Sequence, residues 1–163
     1  MTPEPAEVAG RYFEAIARQD LDAAEECWAL GGIDHLAPVG ELRVPGEWRE
    51  YFESLFAAFP DFRYEVLDTI SEGERVVVHW RAAGKFTGRP FHRIRATGGR
   101  ANAEGLDLLR VENGKIVRLD SYWDDAAVTR QIGLLPARDS RQERGLIALF
   151  NLRTRLRRRK ATT

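Results

Sequence analysis

The sequence predicts an α+β domain in which helices lie across the concave face of one curved, antiparallel sheet. Three observations predict it. Apolar residues recur at helical spacing up to Phe59, the period changes to two from Asp61 onward, and helical and strand segments do not alternate as a parallel sheet requires. With 163 residues, 44% of them hydrophobic, the chain holds one domain's worth of core and can bury roughly two-thirds of its unfolded surface.

Thr2 can cap a first helix with Pro3 at its first position, and Val8, Tyr12, Ala15 and Ile16 then share one face. A second stripe of Leu21, Ala24, Cys27 and Trp28 restarts at Asp20 and is closed by Gly31 and Gly32. The segment "IDHLAPVGELRVPG" is too rich in proline and glycine for a helix and reads as a loop carrying a short strand. From about Gly46, the residues Trp48, Tyr51, Phe52, Leu55 and Phe59 repeat as a third helix that Pro60 stops. Then "FRYEVLDTI" alternates, "SEGE" turns, "RVVVHWRAAGKF" continues, "TGRP" turns, and "FHRIRA" leads into "TGGR".

The last hairpin, Glu104 to Asp125, turns at Asn113-Gly114, and that pair fits two loops. A two-residue turn sets Asp107 opposite Asp120, bringing like charges together, which is unfavourable. A three-residue turn with Gly114 as a bulge sets Asp107 opposite Leu119, on a face shared with Leu109, Val111, Val117, Ser121 and Trp123. The bulged turn is preferred because it gathers the apolar side chains. It turns Glu104, Arg110, Arg118, Asp120 and Tyr122 to the other face and leaves Asp107 as the one ionisable group among hydrophobes.

A carboxylate in that position must be hydrogen-bonded, paired or raised in pKa, because desolvating its charge costs several kcal/mol. It is therefore a candidate general acid or base. The structural alternative is a carboxylate that bonds a helix end or backbone amide and only holds the fold together.

Acidic and basic residues balance at 25 each, which gives no reason to expect a nucleic-acid partner. Cys27 is the only cysteine, so neither an intramolecular disulfide nor a thiolate metal cluster is expected, and three histidines without paired spacing argue against a metal site. No secretory leader pattern and no run of eighteen apolar residues is present, so a soluble, cytoplasmic protein is expected. Alternation turns His79 outward with Arg75, Val77 and Arg81. Tyr12, Trp48, Trp80 and Trp123 are candidates for core and pocket wall at once. Asp124-Asp125 is expected to cap the short helix "AAVTRQIG".

The stretches "IDHLAP", "AAFPDFRYEVLD", "GERVVVHWRAAGKFTGRP", "EGLDLLRVENGKIVRLDSYWD" and "RQIGLLP" together resemble the SnoaL-like branch of the NTF2-like superfamily, over roughly residues 5 to 136. That group contains polyketide cyclases, ketosteroid isomerase and limonene-epoxide hydrolase. The resemblance implies a cone-shaped domain with a deep apolar pocket for a small hydrophobic molecule, usually in a homodimer and without metal or organic cofactor. In the cyclases an Asp on the last strand and a His on the strand before it act as acid and base, and in the hydrolases an Asp-Arg-Asp set activates water. Matched on "NGKI", the last-strand carboxylate falls on Ser121 and the His falls near Asp107, so the pair here is Asp107 and Ser121. A register one residue away brings Asp120 in instead. His35 in "IDHLAP" matches a place where relatives line the pocket mouth.

Two readings follow. One is a cyclase, isomerase or hydratase acting on a hydrophobic carbonyl compound, with Asp107 as acid or base and Asp120 or Ser121 assisting. The other is a non-catalytic dimeric pocket protein that binds a hydrophobic metabolite or accompanies a partner enzyme. A dimer would form through the outer sheet face, where Arg75, His79 and Arg81 could meet Asp120 or Glu104 of a second chain. Residues 137–163 form a basic extension outside the resemblance, in which Asp139 or Ser140 can cap a helix carrying Leu146, Leu149, Phe150, Leu152 and Leu156. Packing on a partner subunit or solvation is preferred for it over membrane contact.

Overall fold

A computed structural model describes residues 3–160. Thr2, the expected first cap, lies outside them, and helix α1 (Pro5–Ala17) begins instead with a proline in its first turn. Its apolar side, Val8, Tyr12, Phe13 and Ile16, is buried. Helix α2 (Leu21–Glu25) starts where Asp20 accepts a hydrogen bond from the Ala23 amide, at 3.1 Å. It is a single short turn of helix and does not reach Trp28.

The first correction follows from that. Strand β1 runs Trp28–Leu36 and β2 runs Gly40–Arg43, so "IDHL" lies in a full strand rather than a loop. Gly31 and Gly32 form a bulge in β1 rather than a helix stop. Gly31 sits at φ 76°, and a Cβ on Gly32 would lie 2.8 Å from the Trp28 ring. The partner that makes β1 a strand is remote in sequence, because it pairs parallel to the last strand of the sheet.

Helix α3 (Gly46–Ala58) follows as expected, burying Trp48 and Phe52. Strands β3 (Arg63–Glu72), β4 (Arg75–Lys85), β5 (Arg100–Glu112) and β6 (Lys115–Trp123) then form antiparallel neighbours. The segment "FHRIRA" is not a strand. Phe91 and Ile94 bridge across His92 and Arg93, both at positive φ, which makes a tight turn. Among the described residues the sheet is open, curved and six-stranded, in the order β2-β1-β6-β5-β4-β3. A hydrophobic core joins α1 and α3 to the inner faces of β4, β5 and β6.

The β5–β6 hairpin resolves the choice of register in a third way. Asn113 (φ 50°) and Gly114 (φ 75°) make the two-residue turn, with Glu112 opposite Lys115. A bulge beyond Ile116 then slips β6 by one residue, so Asp107 faces Ser121 rather than Asp120 or Leu119. The bulge removes the like-charge contact that the tight turn would otherwise create. It also puts Ile116, not Val117, on the buried face with Leu109, Val111 and Leu119.

Helix α4 (Asp125–Gln131) is capped by Asp124, whose carboxylate accepts from the Ala127 amide at 2.9 Å. Helix α5 (Arg141–Lys160) is capped by Ser140, which accepts from the Glu143 amide at 3.1 Å, and is tied back by an Arg130–Glu143 ion pair. Its side chains Leu146, Leu149, Phe150 and Leu152 are exposed; the Leu156 side chain lies outside the described ones. Among the described residues no helix is long and apolar enough to cross a membrane.

Candidate active site

Between the helices and the concave face of the sheet lies a cavity of about 500 Å³. Helix α1 contributes Tyr12, Phe13 and Ile16 to its wall, and α3 contributes Tyr51, Phe52 and Leu55. The sheet contributes Tyr64, Trp80, Leu119 and Trp123, together with three polar residues, Asp34, Asp107 and Ser121. Among the described residues no Lys or Arg lines it.

Asp107 projects from the middle of β5 and is only 5% exposed. Its Oδ1 accepts a hydrogen bond from the Trp80 indole Nε1, at 2.7 Å, and a second from the Ser121 hydroxyl. Both donors come from adjacent strands, β4 and β6. Backbone geometry allows the first: Gly105, opposite Trp80, is where the indole crosses β5, and a Cβ there would lie 2.5 Å from its ring. Burial raises the Asp107 pKa to about 7, and the bonds from Ser121 and Trp80 hold it from rising further. The Tyr64 phenol pulls in the same downward direction, although no well-formed hydrogen bond joins the two. The carboxyl is thus poised near neutrality, and among the described residues no Lys or Arg stands with it in the cavity wall. That is the condition for a general acid or base.

The structure brings together some of the residues expected from the sequence and separates others. Tyr12, Trp80 and Trp123 line the cavity with Asp107 and Ser121. Trp48 is buried behind the wall, where its indole Nε1 donates to the Tyr12 hydroxyl at 3.3 Å. Asp120 lies on the opposite face of β6, bonded to Arg118 and, at 3.1 Å, to His35 Nδ1. His35 faces outward with it, because β1 alternates in step with β6 (His35 opposite Asp120). Neither reaches the cavity. His79 and Arg81 lie on the outer face as expected but bond Glu104 of their own chain, at 2.8 and 3.3 Å.

Sequence reasoning missed Asp34. Its side chain is 1% exposed in the cavity wall, neither oxygen has a hydrogen-bond partner among the described residues, and burial, with Asp107 and Asp120 nearby, holds its pKa well above the usual carboxylate range. Once β1 is read as a strand, the signal is plain: Asp34 and Leu36 alternate onto the inner face, opposite Leu119 and Ser121. The presumption of a loop hid it. Among the described residues there is no cluster of three metal-ligating side chains.

Residues 6–132 match the model of the family described as SnoaL-like polyketide cyclase. No curated protein sequence matches the chain. Solved structures of similar fold include AclR, a proposed hydroxylase from Streptomyces galilaeus, with 21% identity over 84% of this chain and 89% of that one and a TM-score of 0.72. IdmH, a proposed polyketide cyclase from Streptomyces antibioticus, has 25% identity over 80% and 99%, with a TM-score of 0.67. A proposed SnoaL-like polyketide cyclase from Jannaschia sp. CCS1 has 21% identity over 81% and 93%, with a TM-score of 0.72.

Proposed function

The chain belongs to the SnoaL-like polyketide cyclase family, and from that premise we propose that it is a small-molecule enzyme of the cyclase, isomerase or hydratase type, moving a proton on a hydrophobic, carbonyl-bearing substrate. The observation that carries this reading is the Asp107 carboxyl. It is buried in the wall of an apolar cavity, near-neutral in pKa and oriented by Trp80 and Ser121. Asp107 acts as acid or base, Ser121 and Trp80 steer it, and Tyr12 and Trp123 shape the space beside it. Asp120, on the far face of β6, has no part in this proposal. In Asp107→Asn the fold should survive while turnover falls about 10²- to 10⁴-fold, the usual scale of general acid–base catalysis. Full turnover by that variant would sink the reading.

The second reading, a non-catalytic pocket protein, is favoured by Ser121, a hydroxyl at the place where the family resemblance on "NGKI" implies a last-strand carboxylate. Asp107→Asn separates the two, since a purely structural Asp107 would leave no turnover to lose. For assembly we propose a homodimer through the outer sheet face. Ile70, Leu106, Leu108 and Tyr122 are exposed there, an apolar patch that a second copy would cover. The Glu104 ion pairs within the chain leave these apolar residues, rather than the charges, as the anchors. Light scattering at micromolar concentration checks this, and a monomer would refute it.

A further inference from the structure

One stretch of the chain beside the cavity is basic without interruption. From Ala82 to Ala103 it holds Lys85, Arg89, Arg93, Arg95 and Arg100 and not one Asp or Glu. All five are exposed, and among the described residues none is in an ion pair. The connection between β4 and β5, which carries three of them, closes one end of the cavity, where Phe91, His92 and Ile94 stand in the wall. It is fixed on both sides. The Gly88 and Arg89 amides donate to the Ala58 and Ala57 carbonyls at the end of α3, at 2.9 and 2.8 Å, and the Thr97 hydroxyl donates to the Ile132 carbonyl at the end of α4, at 2.6 Å.

His92 and Arg93 form the tip of this rim, between Phe91 and Ile94, which exchange two backbone hydrogen bonds at 3.0 and 2.8 Å. Both tip residues have positive φ, 47° and 67°, a conformation that Asn-Gly takes up with less strain. A local rule broken where the chain borders a cavity points to a demand on the side chains themselves. The His92 ring packs against Phe91 and Tyr51, with centroids 4.2 and 6.1 Å away, and Arg93 stands beside it at the tip. The interior offers the opposite environment. Asp34 and Asp107 are buried there and no Lys or Arg lines it among the described residues, so an anionic group carried inside would lose its water with no cation to replace it. On the rim an anion keeps part of its water and meets arginines. Asp125 of α4 also lines the cavity, from an exposed position, and its charge favours the arginine side for an anion.

We propose that the cavity takes an amphipathic oxyanion, whose hydrophobic body lies inside while a carboxylate or phosphate at its end stays outside, held by Arg93 and Arg95 with Arg89 beside them. A guanidinium presents paired N–H donors that match such a group. The inference rests on the reading of the cavity as the substrate site and deepens it, by fixing which end of the substrate enters. The length follows from β5. Ala101, packed with Phe91 and Ile94, and Asp107 both line the cavity and are six residues apart, about 20 Å along the strand. A hydrogen-bond reach of about 3 Å at each end leaves about 14 Å, the span of a twelve-carbon chain with C–C bonds of about 1.5 Å.

The test is calorimetric binding of dodecanoate, dodecyl phosphate, dodecanol and dodecylamine, which share one chain and differ in head group. At about 0.01 M salt the two anions are expected to bind about five- to thirtyfold more tightly than the alcohol, and at about 1 M salt that preference should largely vanish, as it does for exposed charges. In Arg93→Gln/Arg95→Gln the low-salt preference should fall about three- to tenfold while the affinity for dodecanol stays within about twofold. Arg93→Lys/Arg95→Lys keeps the charges and should keep most of the preference. Arg75→Gln/Arg110→Gln, which removes two charges from the outer sheet face, should leave it unchanged. Dodecanol affinity reports in each variant that the cavity is intact, and if the Gln pair fails to fold, the salt dependence and head-group order of the wild type still decide. No preference for the anions, a preference that survives in the Arg93→Gln/Arg95→Gln pair, or an equal loss in the Arg75→Gln/Arg110→Gln pair would overturn the inference. So would tighter binding of dodecylamine, which would show that the cavity's carboxyls, Asp125 included, hold the head group instead. None of these measurements involves turnover, so their failure leaves the role of Asp107 standing, and full turnover by Asp107→Asn would sink that role and leave the rim untouched.

Discussion

Replacing Asp107 with Asn should change how stability depends on pH, and the size and sign of the change follow from its surroundings. The carboxyl holds its proton up to about pH 7 in the folded chain, against an ordinary value of 3.8. Between those values the folded state carries one proton more than the unfolded state, so stability falls as pH rises and levels off above about 7. At about 1.4 kcal/mol per pH unit, roughly three units amount to about 4 kcal/mol of stability present below pH 4 and lost by pH 7. The amide does not titrate, so this part of the slope disappears. Asp34, whose pKa is raised in the same direction, keeps its own contribution in both proteins. At pH 5 the amide oxygen can still accept from Trp80 and Ser121, but its NH₂ is a new buried donor, which costs about 1–3 kcal/mol. The variant should therefore be less stable than the wild type at pH 5, and the gap should close or reverse by pH 8. Urea unfolding at pH 5, 6, 7 and 8 measures both curves. Parallel curves would refute the reasoning, because they would mean that Asp107 does not titrate in this window.

In Trp80→Phe the indole N–H that stabilises the Asp107 anion is gone, and losing a charge-assisted bond of about 1.5–3 kcal/mol should move the midpoint of the pH-dependent loss upward by about 1–2 units in the same unfolding series. Gly105→Ala places a methyl against the Trp80 ring and the Tyr122 carbonyl; it should cost about 1–3 kcal/mol by overpacking, read as a lowered Tm, and displace the indole from Asp107. Asp120→Asn breaks ion pairs on the outer face only, so stability should fall by about 1 kcal/mol or less while turnover stays at the wild-type level.

The local signals in the chain sufficed for α3, for the β3–β4 ladder and for the inward turn of Asp107, because each depends on periodicity within a few residues. They did not suffice for β1. Its glycines and the following proline suppress the strand pattern locally, and its partner β6 lies more than eighty residues away, a pairing that only tertiary structure supplies. Misreading β1 removed Asp34 from the list of candidates and put His35 on the wrong side of the sheet. Ser121 was reached by matching "NGKI" to relatives. Its pairing with Asp107 contradicted the hairpin geometry preferred from alternation, because a bulge inside a strand leaves no turn residue to mark it.

That unmarked extra residue decides which side chains the strand presents to the cavity. A slip that took Val117 into the ladder would carry the frame of the Asn113-Gly114 turn through β6 and rotate everything beyond it by half a pleat. Asp120 would swing inward against Asp107, while Ser121 and Trp123 would swing out to solvent. Deleting Val117 would instead remove the bulge and leave Asp107 opposite Ser121, because each pair beyond it keeps its partner. One unpaired valine thus keeps a solitary acid, steadied by a hydroxyl, from becoming two carboxyls competing for a proton.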